Sequence, residues 1–262
     1  MANFLIVAIA IFIDRLLGEP TIYHPLRGFR HIATFIEQLW HGAEELITVK
    51  EGQPNQTVSI IVKIKGLLAV LFLVLPFVAL TSVLCNLGLL NFVFNILFLY
   101  LCIGAHSLKQ HALDVQNALT ENNIDEARKK AALVTDRDTE NMNSQDILLA
   151  CVESILKKGN NDVLAPIFWY MLLGAPGAVL YRLVDSLANM WNDQKSHYSN
   201  FGWAATRFDY VLNFIPARLT ALSYKLLGEI KTGPDILQAC SLVERSMVLW
   251  LAIILSLSFT HC

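Results

Sequence analysis

Hydrophobic positions along the chain fall into long runs that short polar segments interrupt. The clearest run, residues 66–108, contains no Asp, Glu, Lys or Arg. A helix of about 20 apolar residues crosses the hydrocarbon core of a bilayer, so this run predicts two spans with a turn at residues 85–88. Lys63 and Lys65 precede the run and Lys109 follows it, and because positive charge is enriched in cytoplasmic loops, both outer ends are predicted to be cytoplasmic.

The other apolar segments are less regular. Residues 1–17 predict a short membrane-entering helix, and residues 29–48 carry the apolar stripe of an amphipathic interfacial helix. Residues 163–184 are broken by Gly-Ala-Pro-Gly at 174–177, which predicts a re-entrant pair of half-helices. Residues 247–260 predict a last apolar segment that is short for a span.

Composition supports a membrane protein, since 55% of the residues are hydrophobic and only 16% are charged, against about a quarter in soluble domains. The pattern therefore predicts an all-α, polytopic helical membrane protein with about 4–5 membrane-embedded segments, one of them re-entrant, and a cytosolic helical loop at about residues 105–162. We expect one membrane domain over residues 1–262. A net charge of -2 without a basic cluster gives no reason to expect nucleic acid.

Polar residues inside the apolar segments are the candidates for chemistry. Arg207, Asp209, Asn213 and Arg218 recur at roughly one-turn spacing, which predicts a polar line along a helix. Glu153 lies in an apolar helix, where a carboxylate must pair, protonate or bind a ligand. Both an ion pair with Arg137 and a contact with substrate are open for Glu153.

The planar guanidinium group of arginine forms paired hydrogen bonds with phosphates and carboxylates, and Asp or Glu can bind magnesium or accept a proton. These residues are therefore consistent with a phosphorylated, anionic ligand, and a purely structural network of ion pairs is the alternative. His24 stands between Tyr23 and Pro25, where it either faces a ligand or caps a loop. His106 and His111 are five residues apart and lie on different sides of a helix, so no protein metal site is predicted from them.

Several short motifs resemble the CobD/CbiB family of cobalamin biosynthesis, in order over roughly residues 10–225. The motifs are Leu17-Gly18-Glu19-Pro20 with His24-Pro25, Arg137-Asp138-Thr139, Val152-Glu153-Ser154, Ala165-Pro166-Ile167-Phe168-Trp169, Tyr181-Arg182, Phe201-Gly202-Trp203-Ala204 and Asn213-Phe214-Ile215-Pro216-Ala217-Arg218-Leu219-Thr220-Ala221-Leu222.

The resemblance implies a multi-pass protein of the bacterial inner membrane that joins adenosylcobyric acid to an aminopropanol or its phosphate, giving adenosylcobinamide or its phosphate. Amide formation of this kind implies ATP with Mg²⁺ to activate the corrin propionate. The implied partners are the corrinoid substrate, membrane lipid and other late corrin-pathway membrane enzymes. The implied catalytic residues are Glu153, Asp138 and Asp209, and the implied substrate-binding residues are Arg137, Arg182, Arg207, Asn213, Arg218 and His24.

Two alternatives rest on other features. Lys157, Asn161 and Ala188 stand where the family pattern has carboxylates, and residues 231–245 lack the family's His-Pro-Ser-Pro-Asn block. Such departures are consistent with a non-catalytic, AmpE-like membrane signalling protein that retains the membrane fold and lacks the catalytic activity. The break at residues 174–177 is also consistent with a small-molecule transporter.

Overall fold

The computed structural model describes residues 2–18, 25–40, 56–192, 200–228 and 235–260, without the side chains of 56–58, 89 and 260. The described residues form helices joined by turns and loops. The helices are α1 (Ala2–Leu17), α2 (Pro25–Trp40), α3 (Gln56–Cys85), α4 (Asn91–Cys102), α5 (Ala105–Thr120), α6 (Ile124–Val134), α7 (Ser144–Gly159), α8 (Ala165–Met190), α9 (Trp203–Leu227) and α10 (Ile236–Thr260). A short 3₁₀ turn (Gly88–Leu90) and a π-helical turn (Asn160–Leu164) complete the described elements.

Four helical stretches among the described residues have the length and apolar composition to cross a membrane. They are Ser59–Cys85, Asn91–Thr120, Ser144–Met190 and Ile236–Phe259. The all-α, polytopic membrane fold predicted from the hydropathy pattern is therefore confirmed. The side of the membrane that each loop faces stays a prediction.

The predicted hairpin of residues 66–108 is present. Helix α3 ends at Cys85 and the 3₁₀ turn leads directly into α4. Asn86 closes the end of α3, because its side-chain amide donates to the carbonyl of Ser82 at 2.8 Å and its backbone N–H donates to Val83 at 3.1 Å. These bonds satisfy carbonyls that the helix end would otherwise leave without partners.

A break inside α8 lies where the sequence predicts one. Gly174 has φ 69° and ψ -162°, a backbone conformation that glycine adopts far more readily than other residues. Pro176 follows within the same helix and has no N–H to donate to the preceding turn. The interruption is confirmed, whereas the re-entrant path of residues 163–184 stays a prediction.

Two predicted segments differ in extent from the described helices. Helix α10 has 25 residues and is longer than the predicted segment 247–260, because Ile236, Ala239 and Val243, which are buried in a hydrophobic core, belong to the same helix. Helix α2 confirms the first part of the predicted helix at 29–48, and residues 41–48 lie outside the described part. Residues 19–24, which include His24, likewise lie outside the described part.

The chain divides into two compact units. Unit A comprises the described residues of Met1–Glu19, Cys102–Phe168 and Ile215–Cys262, and unit B those of Pro20–Leu101 and Trp169–Phe214. The core of unit A is formed by α5, α6, α7 and α10, with Val115, Ile147 and Ile155 fully or almost fully buried. Unit B packs Phe29 of α2, Leu187 of α8 and neighbouring apolar side chains into a second core. The prediction of one domain over residues 1–262 stays a prediction.

Candidate functional site

A charged surface of unit A begins at the loop between α6 and α7. The Thr139 hydroxyl donates to the carbonyl of Arg128 at 3.0 Å, and the Arg137 N–H donates to the Thr135 hydroxyl oxygen at 3.2 Å. Thr135 and Thr139 are buried, so they anchor both ends of the loop. The residues between them, Asp136 to Asp138, are exposed.

Helix α7 supplies the other half of this surface. The Arg137 Nη2 atom lies 2.6 Å from Glu153 Oε2, and the Lys157 Nζ atom lies 3.5 Å from Asp136 Oδ2. Glu153 and Lys157 are one turn apart on α7 and therefore share a face. The side chains of Arg137 and Glu153 are 57% and 66% exposed, so a ligand can reach both. We call Asp136, Arg137, Asp138, Glu153 and Lys157 the charged face.

The end of α7 is held against α9 by buried polar contacts. Asn160, the first residue of the π-helical turn, accepts a 2.8 Å hydrogen bond from the Thr220 hydroxyl. The Tyr224 hydroxyl donates to the carbonyl of Leu156 at 3.1 Å, and burial raises the pKa of Tyr224, which keeps this donor protonated. These bonds fix α9 to the helix that carries Glu153.

Helix α9 does not present one polar line. Arg207 and Arg218 are exposed, whereas Asp209 and Asn213 are half-buried. The cause is geometric, since about 100° of rotation per residue places Arg207 and Arg218 only about 20° apart and turns Asp209 and Asn213 to another side. The predicted line is therefore two polar faces on one helix.

The inner face of α9 joins a polar cluster in unit B. The Asn213 Nδ2 atom donates to Asp209 Oδ1 at 3.3 Å, and the Tyr181 hydroxyl donates to Asn213 Oδ1 at 3.2 Å. One residue beyond Tyr181, Arg182 Nη1 lies 3.5 Å from Asp185 Oδ2, with side chains 14% and 5% exposed. We call these five residues the inner cluster. The Tyr181–Asn213 hydrogen bond joins α8 to α9.

The predicted site residues are thus distributed over several places. Arg137, Asp138 and Glu153 lie together on the charged face, and Arg182, Asp209 and Asn213 lie in the inner cluster. Arg207 and Arg218 occupy the exposed face of α9. His24 lies outside the described residues. The catalytic and binding roles assigned to these residues stay predictions.

Sequence reasoning missed Asp14, Asn160 and Asp185 as structural polar residues. Asp14 is fully buried in α1 and its carboxylate accepts the backbone N–H of His106 at 3.0 Å. A carboxylate at the end of an apolar helix was the available signal for Asp14. Asp185 follows Arg182 by three residues, a spacing at which helical ion pairs form.

Among the residues that the structure describes, no three His, Cys, Asp or Glu side chains form a group that could hold a metal ion. Mg²⁺ is commonly bound through one or two carboxylates together with substrate phosphates. Asp136 and Asp138 flank Arg137 in an exposed loop, and Asp138 uses one oxygen to accept the Glu140 N–H at 3.1 Å. The charged face thus fits only an ion that brings phosphate ligands with it.

Comparison with known proteins gives concordant matches. A family model described as CobD/Cbib protein matches residues 7–252. The cobalamin biosynthesis protein CobD of Chromobacterium violaceum is 40% identical over 233 residues, covering 89% of this chain and 72% of the relative. CobD of Stutzerimonas stutzeri is 38% identical over 231 residues, with coverages of 88% and 72%. CobD of Clostridium perfringens is 32% identical over 221 residues, with coverages of 82% and 66%. No solved structure matches.

The fold and the apolar stretches define a polytopic helical membrane protein. The chain belongs to the CobD/CbiB family, and its role is in cobalamin biosynthesis. The relatives do not favour the alternative of an AmpE-like signalling protein.

Proposed function

We propose that this protein joins adenosylcobyric acid to an aminopropanol or its phosphate by ATP-dependent amide formation, giving adenosylcobinamide or its phosphate. Family membership over residues 7–252 supports the pathway. The exposed Arg137–Glu153 pair on the charged face is the observation that best supports the proposed reaction. The pair places an anion-binding guanidinium group and a proton-accepting carboxylate at one accessible position.

The charged face has the groups that such a reaction requires. The corrin propionate is an anion, and the planar guanidinium of Arg137 can form two parallel hydrogen bonds to a carboxylate or a phosphate. An exposed ion pair contributes little to stability, so a ligand can exchange for one partner at small cost. Binding of the propionate to Arg137 would release Glu153 from its present contact.

Glu153 is the proposed general base. The attacking amine must be neutral, and it loses a further proton as the C–N bond forms. A carboxylate beside the bound propionate is suited to accept that proton. Asp138, on the same loop as Arg137, is proposed to assist by orienting the amine or by holding a metal ion.

ATP and Mg²⁺, when bound, would supply the activation that makes a carboxylate a competent electrophile. Asp136 and Asp138 are the residues of the charged face that would contact the ion. Arg207 and Arg218, exposed on α9, are proposed to bind further phosphate or propionate groups. Arg182, Asp209 and Asn213 are proposed to support substrate binding from within the inner cluster.

The proposed setting follows from the same family. We propose a multi-pass location in the bacterial inner membrane, in contact with lipid and with other late corrin-pathway membrane enzymes. Four described helical stretches suited to crossing a membrane support this setting. Co-purification from cross-linked membranes with a cobalamin-pathway enzyme would support the partners, and recovery of the chain without any such enzyme would contradict them.

Complementation tests the reaction. The chain is expressed in a strain that lacks its own synthase and is fed cobyric acid, and we expect growth that depends on cobalamin to return. Arg218→Ala is expected to reduce this growth, whereas Lys225→Ala, which removes an exposed charge from the same helix, is the control. Absence of growth despite normal amounts of the wild-type chain in the membrane would contradict the proposed function.

A further inference from the structure

A cavity of about 380 Å³ opens in unit A, among α1, α5, α7 and α10. It is distinct from the charged face, because its polar lining comes from Arg15, His106, Lys109, Gln110 and Glu244. Its volume falls within the range of small-molecule sites, which is about 300–1,000 Å³. The cavity is therefore large enough for a small metabolite.

The lining is rich in hydrogen-bond donors that have no partner within the described structure. Arg15 lies at the end of α1 and forms no ion pair or hydrogen bond with any described residue. The His106 imidazole and the Gln110 amide, both from α5, likewise make no hydrogen bond within the described part of the chain. Arg15 and Gln110 are exposed and His106 is half-buried, so all three donor groups are accessible to an acceptor-rich ligand that enters the cavity.

The position of Arg15 and His106 is fixed by a junction between α1 and α5. The buried Asp14 carboxylate accepts the His106 N–H at 3.0 Å, where the positive end of the α5 dipole stabilises it. Gly18 packs so closely on the imidazole that an added Cβ would lie 2.8 Å from His106 Cδ2. The junction therefore places the backbones of Arg15 and His106 beside the same cavity.

The cavity lining also carries a carboxylate. Glu244 of α10 is paired with Lys109 at 2.8 Å, and their side chains are 36% and 52% exposed. The cavity therefore presents cationic and donor groups from α1 and α5 together with one acidic side chain from α10. This set of groups complements a small molecule that has both an anionic group and an ammonium group.

We propose that the cavity binds the small amine substrate in its phosphorylated form, with the phosphate on Arg15 and His106 and the ammonium towards Glu244. The identity of the amine rests on the proposed function, whereas the phosphate site rests on the cavity itself. The corrinoid is too large for 380 Å³, so the cavity discriminates between the two substrates. It would deliver the amine as a separate ligand, independently of the corrin propionate.

Binding to the full-length protein in detergent micelles tests this proposal. Calorimetric titrations with aminopropanol phosphate, inorganic phosphate and ATP are compared for the wild-type chain, Arg15→Gln and Arg245→Gln. Arg245 is exposed on α10 and is not part of the cavity lining, so it controls for a general loss of positive charge. We expect Arg15→Gln to weaken binding of aminopropanol phosphate by about tenfold or more and Arg245→Gln to leave it within about twofold.

Glu244→Gln provides a second, independent arm. We expect this change to weaken the binding of aminopropanol phosphate. The binding of inorganic phosphate should stay unchanged or become tighter, because inorganic phosphate has no ammonium group. Equal melting temperatures of the variants and the wild-type chain verify that the fold is intact. Wild-type affinity for aminopropanol phosphate in Arg15→Gln would overturn the proposal, and so would an adventitious ion only, seen as equal affinity of the wild-type chain for aminopropanol phosphate and inorganic phosphate.

The two proposals fail separately. Loss of amine binding in Arg15→Gln, together with a wild-type chain that forms no cobinamide, would preserve the cavity assignment and contradict the proposed function. Formation of cobinamide by the wild-type chain, together with unaltered amine binding in Arg15→Gln, would contradict the cavity assignment alone.

Discussion

Two arginine–carboxylate pairs show how differently the same chemistry is used in this protein. Arg137 and Glu153 meet across 16 residues of sequence at 2.6 Å, with side chains that are more than half exposed. Arg182 and Asp185 are neighbours on α8 at 3.5 Å, and both are largely buried. The exposed pair is available to a ligand and contributes little to stability, whereas the buried pair is poorly accessible and tolerates the loss of one partner badly.

This contrast separates residues that support the protein from residues that can react. Breaking a buried ion pair leaves a desolvated charge and costs several kcal/mol, whereas exposed pairs contribute between about 0 and 1 kcal/mol. The inner cluster should therefore respond to mutation mainly through stability. The charged face should respond mainly through activity.

The largest effect on stability is expected for Asp185→Ala. This change leaves the buried Arg182 guanidinium without its carboxylate and should lower the free energy of unfolding by about 3–5 kcal/mol. Denaturant unfolding in detergent micelles measures it. Asp125→Ala is the control, since it breaks the exposed Arg128–Asp125 pair at 3.3 Å and should cost less than about 1 kcal/mol. Equal losses in both variants would remove the distinction between buried and exposed pairs.

A slightly smaller loss is expected for Gly66→Ala in unit B. The added Cβ would clash with the backbone carbonyl oxygen of Phe201, a residue whose ring is buried against Trp191 at 4.9 Å between centroids. Overpacking of this kind costs about 1–3 kcal/mol, which thermal unfolding detects. Gly28→Ala is the matched control, because no atom of the described residues lies within 4 Å of its added Cβ. A Gly66→Ala protein as stable as the Gly28→Ala protein would show that this packing is loose.

Thr220→Val is expected to have an intermediate effect in unit A. It removes the donor to the buried Asn160 side chain and should cost about 1–3 kcal/mol, because the acceptor loses its partner away from water. Thr120→Val serves as the control, since the Thr120 hydroxyl bonds within an exposed turn at the end of α5. If the two changes cost the same, the Thr220–Asn160 bond does not hold the π-helical turn in place.

The smallest effect on stability is expected for Glu153→Gln on the charged face. The change removes one partner of an exposed pair and should alter the free energy of unfolding by less than about 1 kcal/mol. The same unfolding measurement used for Asp185→Ala provides the comparison. A loss as large as that of Asp185→Ala would mean that Glu153 supports the fold rather than the reaction.

Much of the fold follows from the hydropathy pattern. The charge-free run at residues 66–108 could only be two apolar helices and a turn, and α3 and α4 confirm it. The break at Gly174 could be predicted because glycine and proline interrupt the run at that point. The full length of α10 could not be predicted, since the burial of Ile236, Ala239 and Val243 in the core of unit A is a tertiary contact that the local pattern does not contain.

The candidate site could be predicted only in part. Arg137 and Glu153 were identified from residue type, with their ion pair as one of two open interpretations, and the structure contains that pair. The roughly one-turn spacing predicts a single polar line on α9, but Arg207 and Asp209 differ by only two residues and so point to different sides of the helix. The junction of Asp14 with His106 spans 92 residues, and local pattern carries no information about such a contact.

Turnover by Glu153→Gln tests the central claim most directly. Membranes that contain equal amounts of the wild-type chain, Glu153→Gln and Glu121→Gln, the last an exposed carboxylate outside the charged face, are supplied with adenosylcobyric acid, aminopropanol phosphate, ATP and Mg²⁺. The account predicts that Glu153→Gln forms the cobinamide product at least about 100-fold more slowly, while Glu121→Gln and the melting temperatures are unchanged. Product formation by Glu153→Gln at the wild-type rate would contradict it.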